Sequence, residues 1–173
     1  MNILETERLI VRHLRPDDLD EMYAICSDPE LMRQVGNGQP LAKESVQRWI
    51  EKSLDNYERQ GFGCSAVISK SDHSFIGYCG LVYGHADDEP EIIYVLKKEY
   101  WGQGIATEVA RAMIDYGFTK HKLKRILATI DPENLASIKI VEKTGMKFQE
   151  RGLDENNLPE MVYAIERTEE SYR

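Results

Sequence analysis

Residues 91–118 read EIIYVLKKEYWGQGIATEVARAMIDYGF, and this stretch decides the fold. Its first six residues, Glu91–Leu96, are rich in β-branched and aromatic types and predict a strand. From about Gly104 to Thr119, Ile105, Val109, Ala112, Met113 and Tyr116 share one side of a 3.6-residue helix. Between the two elements, Gly102 and Gly104 let the backbone approach a ligand and aim amide hydrogens outward. The helix N-terminus adds partial positive charge, so strand, glycine turn and helix together can hold an anion. The glycines taken alone are equally compatible with a plain packing turn.

Downstream of this unit, residues 125–130 read as a strand, 134–143 as a helix ended by Gly145, and 147–153 and 161–166 as two final strands. A strand, helix and strand between Glu91 and Ile130 predict one parallel crossover. Upstream, residues 62–69 and 75–83 precede Glu91–Leu96 as strands, and the short polar connection 70–74 reads as a hairpin, which makes this part antiparallel. Further back, Val46, Trp49, Ile50, Leu54 and Tyr57 form one helical face closed by Gly61. Before it come a loop, Gly36-Asn37-Gly38-Gln39-Pro40, a short helical piece with Leu31 and Met32, a helix opened by Pro16-Asp17-Asp18, and a strand over 8–14. The expected architecture is α+β: a mostly antiparallel sheet of about seven strands with one parallel crossover, flanked by about four helices. One domain over 1–167 and a tail over 168–173 are expected.

Composition narrows the function. With 173 residues and 42% apolar content the chain can fill a single core. A net charge of -8 without a stripe of Lys and Arg argues against a nucleic-acid surface. No apolar run is long enough for a membrane span or a secretory leader, so a cytoplasmic protein without membrane partners is expected. Cys26, Cys64 and Cys79 are far apart, odd in number and without CxxC spacing, as buried free thiols would be. His85 near Asp87, Asp88 and Glu91 lacks a second ligand cluster, so no metal is expected. The glycine turn is not a P-loop, because Gly-Lys-Ser/Thr is missing; Thr107 stands where a dinucleotide fingerprint needs its third glycine.

Four separated segments then agree in order and spacing with one family: residues 5–32 (ETERLIVRHLRPDDLDEMYAICSDPELM), 76–81 (IGYCGL), 91–118, and 131–148 (DPENLASIKIVEKTGMKF). Over nearly its whole length the sequence resembles the GNAT superfamily of N-acetyltransferases, in its ribosomal-protein N-terminal acetyltransferase branch (RimJ/RimL type). Gly104 and Ala106 fit the family's R/Q-x-x-G-x-G/A signature, while Trp101 replaces its first residue. The resemblance implies acetyl-CoA as co-substrate. Its pyrophosphate would lie on the backbone amides of Gly102, Gln103, Gly104, Ile105, Ala106 and Thr107, and its pantetheine arm along Val95, Leu96 and Lys97. Lys97, Lys98, Lys139 and Lys143 are nearby cations, each equally readable as solvated surface.

The resemblance also implies roles for two side chains. Glu91 opens the central strand where the family pattern a-E-x-G-Y carries a base, acting directly or through water. It is equally readable as a strand-end ion pair or a solvated residue, and Ile93 departs from the pattern's glycine. The tyrosine that many members use to protonate the leaving thiol is missing, since Val141 holds its place. Ser137, in the N-x-x-S of Asn134 to Ser137, is expected to serve instead. Asn134 resembles a cofactor-contacting asparagine and is equally a helix N-cap. An amide near Val95 would stabilise the oxyanion. The acceptor is a primary amine, on a protein or peptide N-terminus or on a small molecule. A non-catalytic acyl-CoA-binding domain is the rival reading, and a homodimer is a family-level expectation. The loop 35–40 is expected on the acceptor side, and Asp87, Asp88 and Glu89 form an acidic turn.

Overall fold

The computed structural model describes residues 1–169, so residues 170–173 of the expected tail lie outside the described residues. Eight strands form one sheet: β1 (Asn2–Glu5), β2 (Leu9–His13), β3 (Cys64–Ser69), β4 (Phe75–Val82), β5 (Glu91–Leu96), β6 (Arg125–Ile130), β7 (Lys147–Leu153) and β8 (Pro159–Glu166). Their spatial order is β1-β2-β3-β4-β5-β6-β8-β7, and every neighbouring pair is antiparallel except β5 with β6. The strand beyond the expected seven is β1. Four residues are too few to show a period of two, and β1 is defined by pairing with β2, Leu4 opposite Val11 and Glu5 opposite Ile10.

Five α-helices are described: α1 (Leu19–Cys26), α2 (Pro29–Met32), α3 (Lys43–Gln60), α4 (Ile105–Thr119) and α5 (Leu135–Lys143). Beside the four full helices, the expected short helical piece with Leu31 and Met32 is the single turn α2. Asp28 caps it, its carboxylate accepting from the backbone N–H groups of Glu30 (2.9 Å) and Leu31 (3.3 Å).

The alternating faces of the central strands separate two cores. Val67, Ile76, Cys79 and Leu81 pack with Val109 and Met113 of α4 on one side. On the other, Ala66, Ile68, Phe75 and Tyr78 pack with Met22 and Ile25 of α1 and Val46 and Ile50 of α3. Adjacent residues such as Ala66 and Val67 thus feed opposite cores, as a pleated strand requires.

Two irregularities position the site. In β4 the register jumps between Val67 opposite Gly77 and Ile68 opposite Phe75, which leaves Ile76 as an extra, bulged residue. At Gly77 a Cβ would come within 2.2 Å of the Val95 carbonyl oxygen, so the close approach of β4 to β5 requires glycine. The second is the parallel join. Strands β5 and β6 are in register only at Glu91 and Leu127, beside a bond of 2.9 Å from the Leu127 N–H to the Pro90 carbonyl. Beyond that point they part, while β6 stays paired with β8 along its length. The sheet therefore opens along the far end of β5.

Candidate active site

The glycine turn closes one end of this opening. Gly102 and Gly104 have φ of +70° and +76°, the left-handed region that only glycine adopts without strain. Gly104 is the N-cap of α4 and contributes no side-chain hydrogen bond, so the first-turn amides, Ile105, Ala106 and Thr107 among them, have no side-chain acceptor from the cap. A fifteen-residue helix starting on uncapped amides, approached through exposed Gly102, Gln103 and Gly104, fits an anionic group such as a pyrophosphate. The turn is braced from below. The Trp101 indole N–H donates to the Leu96 carbonyl (3.0 Å), and the Gln103 side-chain amide donates to the Glu99 carbonyl (2.8 Å).

Arg8 is the cation at this turn, and it was invisible in the sequence. Its guanidinium donates to the Gln103 carbonyl at 3.0 Å and pairs with Glu108 of α4 at 2.8 Å. The residues are 95 and 100 positions apart, so no local pattern links them. Two of the four expected lysines are paired elsewhere. Lys97 pairs with Glu21 at 2.7 Å, and Lys98 with Glu30 at 2.6 Å and Asp28 at 3.3 Å; Lys139 and Lys143 lie on α5.

Two adjoining cavities fill the opening. The smaller, about 220 Å³, is walled by Trp49, Tyr78, Tyr94, Val95, Asn134 and Ser137. The larger, about 820 Å³, is walled by Gly36, Asn37 and Gly38 of the glycine-rich loop, His85, and several acidic side chains including Asp131, Asp154 and Glu160. Glu91, Thr129 and Asp131 line both, with Gln34, Gly36 and Ile130, so Glu91 stands where the cavities meet; the other carboxylate there, Asp131, accepts the Glu133 N–H at 2.9 Å.

Burial pushes the Glu91 carboxyl above its ordinary range, and the hydrogen bonds it receives from the His85 backbone and the Thr129 hydroxyl (3.3 Å) only partly offset this. His85 itself pairs through Nδ1 with Glu160 at 3.0 Å. Gly84 packs against the Glu91 carboxylate, where a Cβ would lie 3.0 Å from Oε1. Among the described residues the Glu91 carboxylate accepts from a hydroxyl and a backbone amide, with His85 the basic side chain that acts on it.

Ser137 lies in the first turn of α5. Its N–H donates to the Asn134 side-chain oxygen at 3.1 Å, which makes Asn134 the N-cap as well as a wall of the small cavity. The Ser137 hydroxyl lies 2.7 Å from the hydroxyl of Tyr94 on β5. Val141, where the family's tyrosine would stand, is buried in the core. A tyrosine is present in the site after all, but on the opposite wall. Its sequence signal was the closing tyrosine of the pattern a-E-x-G-Y, which falls on Tyr94, three residues after Glu91.

Two expected backbone contacts are reassigned by the geometry. Lys97 already donates its N–H to the bulged Ile76 carbonyl (2.9 Å) and accepts from Tyr100 (3.0 Å). The Val95 carbonyl faces Gly77 of β4. The N–H and C=O of one strand residue point to the same side, so the peptide groups facing the opening are those of Tyr94 and Leu96. The three cysteines are buried, and desolvation pushes Cys26 up to about 11; none lines either cavity. The acidic turn is engaged at Glu89, which pairs with Arg125 at 2.9 Å.

A mixed sheet that parts beside a glycine turn, with Glu91, Tyr94, Thr129 and Ser137 in the gap, is the layout that the acetyltransferase resemblance implies. The chain belongs to the acetyltransferase (GNAT) domain family, whose model matches residues 8–147. It is similar to an uncharacterized N-acetyltransferase, p20, of Bacillus licheniformis, with 34% identity over 155 residues that cover 88% of this chain and 85% of the relative. A GNAT-family acetyltransferase from Bacillus anthracis has the same fold with a TM-score of 0.81, 27% identity, and coverage of 94% and 97% of the two chains. RimL, a ribosomal-protein α-N-acetyltransferase solved with coenzyme A, superposes with a TM-score of 0.81 over 96% and 98% of the chains. At 12% identity that last likeness is one of fold.

Proposed function

We propose that this enzyme moves the acetyl group of acetyl-CoA to a primary amine by direct attack, with Glu91 as base and Ser137 as hydrogen-bond donor to the leaving sulfur. The observation that carries this reading is the position of Glu91, on the shared wall of the two cavities. An amine arriving through the larger cavity meets the carboxylate before it meets the thioester in the smaller one. The glycine turn at residues 102–104 and the uncapped first-turn amides that follow at 105–107 suit the pyrophosphate, and the open side of β5, at the Tyr94 peptide group and the Leu96 N–H, suits the pantetheine arm and the oxyanion; the Leu96 carbonyl is taken by the Trp101 indole. Asn134 borders the same path.

An amine must be neutral to attack. At neutral pH deprotonation costs about 4 kcal/mol for a lysine-like amine and little for an N-terminal amine of pKa about 8. A carboxylate held above its ordinary range is a better proton acceptor for either. Glu91, Asp131, Asp154, Glu155 and Glu160 outnumber Arg33, Lys52 and His85 around the larger cavity, which favours entry of a protonated amine. Protein N-termini and small-molecule amines both meet that description.

The decisive experiment is thiol release from acetyl-CoA against panels of peptides, amino acids, polyamines and amine antibiotics. Release with one class identifies the acceptor. Tight acetyl-CoA binding without release on any panel would instead support a non-catalytic acyl-CoA-binding protein. We place the enzyme in a reducing cytoplasm because its cysteines are free, buried and unpaired; among the described residues no helix is long and apolar enough to cross a membrane. Homodimer formation is carried by the family resemblance and is checked by sedimentation.

A further inference from the structure

Tyr94 joins the two walls of the opening. Its hydroxyl reaches from β5 to Ser137 on α5, 2.7 Å from Oγ, while the Ser137 carbonyl is a distant 3.5 Å away. Both side chains line the small cavity. Each hydroxyl carries one hydrogen, so their mutual bond uses one and leaves one free. Which hydrogen is free decides whether the serine can serve a sulfur at all. Burial pushes the phenol up to about 12, so Tyr94 keeps its hydrogen across the working range. The remaining donor beside Ser137, its own N–H, is taken by the Asn134 side chain.

We propose that Tyr94 is a positioning residue, which donates its hydrogen to Ser137 Oγ and so turns the serine hydrogen into the small cavity, toward the leaving sulfur. This rests on the reading of Ser137 as donor given above. When the C–S bond breaks, the electron pair goes to sulfur and the Ser137 hydroxyl holds the thiolate by a hydrogen bond. A thiolate whose conjugate acid has a pKa of about 8.5 does not take the proton from so weakly acidic a phenol, so Tyr94 is unchanged at the end of the step. The proton removed from the amine by Glu91 leaves to solvent, and the thiolate is protonated from solvent. The phenol therefore stands in for the tyrosine missing at Val141 without occupying its place: it orients the serine instead of meeting the sulfur.

The test compares Tyr94→Phe, Ser137→Ala and the double variant, by steady-state kinetics and by acetyl-CoA Kd. Phenylalanine keeps the ring and removes one oxygen, and an unchanged Kd reports an intact fold. Tyr94→Phe is expected to lower kcat about tenfold, the size of one hydrogen bond to a charged centre, with Kd unmoved. In the Ser137→Ala background it should cause no further loss. With the acetyl selenoester of coenzyme A, whose selenolate leaves without help at neutral pH, the loss should shrink toward none. Additive losses, a loss confined to Kd, or the same loss with the selenoester would overturn the proposal. Full activity in Ser137→Ala would instead remove the donor role of Ser137 itself. A slowed Ser137→Ala beside an unimpaired Tyr94→Phe would sink only the role of Tyr94.

Discussion

Asp18 sits at the corner where β2 leads into α1, and Glu91 at the point where β5 parts from β6; both carboxyl groups are largely withdrawn from water. Their surroundings differ. Desolvation would raise Asp18, but Arg12 grips both its oxygens at 2.8 and 2.9 Å and the Arg15 N–H adds a bond of 2.7 Å. The net result holds Asp18 below the usual carboxylate range. At Glu91 desolvation dominates, a hydroxyl and a backbone amide compensate only in part, and the carboxyl is held above its usual range. Burial alone thus does not mark a reactive acid. What separates the scaffold carboxylate from the one proposed as base is how fully its charge is answered.

That contrast can be broken at either end. Glu91→Gln should lower kcat/KM by about 10² to 10⁴-fold, the range for losing a positioned general base. In the wild type the acid limb of kcat/KM should lie above the ordinary glutamate range and vanish in the variant. An unchanged limb would remove Glu91 from the mechanism. Asp18→Asn leaves the half-buried Arg12 guanidinium without its countercharge, though still bonded to the His13 carbonyl, and should cost about 1 to 3 kcal/mol in denaturant unfolding, with turnover per folded molecule preserved. Because the folded Asp18 pKa is depressed, its contribution is present above the unfolded value of about 3.9 and lost as pH falls through the folded one. The gap between wild type and variant should therefore close only in strong acid.

The smallest expected effect has the opposite sign. A raised carboxyl pKa means that the fold disfavours the ionised form, so the wild type loses stability as pH rises through the folded value. Glu91→Gln should then be more stable than wild type in denaturant unfolding at neutral pH, with the difference gone in acid. A variant less stable at neutral pH would mean that the ionised Glu91 is better compensated than its neighbours suggest.

Legibility follows the same division. The elements of the central stretch were readable to the residue, as Glu91–Leu96 and Arg125–Ile130 show, because periodicity and turn chemistry are local. β1 was missed for lack of length. Asn134 and Ser137 were readable as a motif three residues apart, and the structure joins them by the capping bond. Tyr94 was in plain view, yet its partner is 43 positions away, and no spacing rule pairs residues across a splayed sheet.

By itself, then, the sequence determined the order of strands and helices, the left-handed glycines at 102 and 104, and the uncapped helix that follows them, since each depends on neighbours within a turn or two. Only the tertiary structure decided that Arg8 braces the turn, that Lys97 and Lys98 are spent on α1 and α2 carboxylates, and that Glu91 lies between two cavities beside Thr129. Those are contacts between elements, and they follow from where β5 and β6 part, a geometry that arises when the whole sheet is assembled.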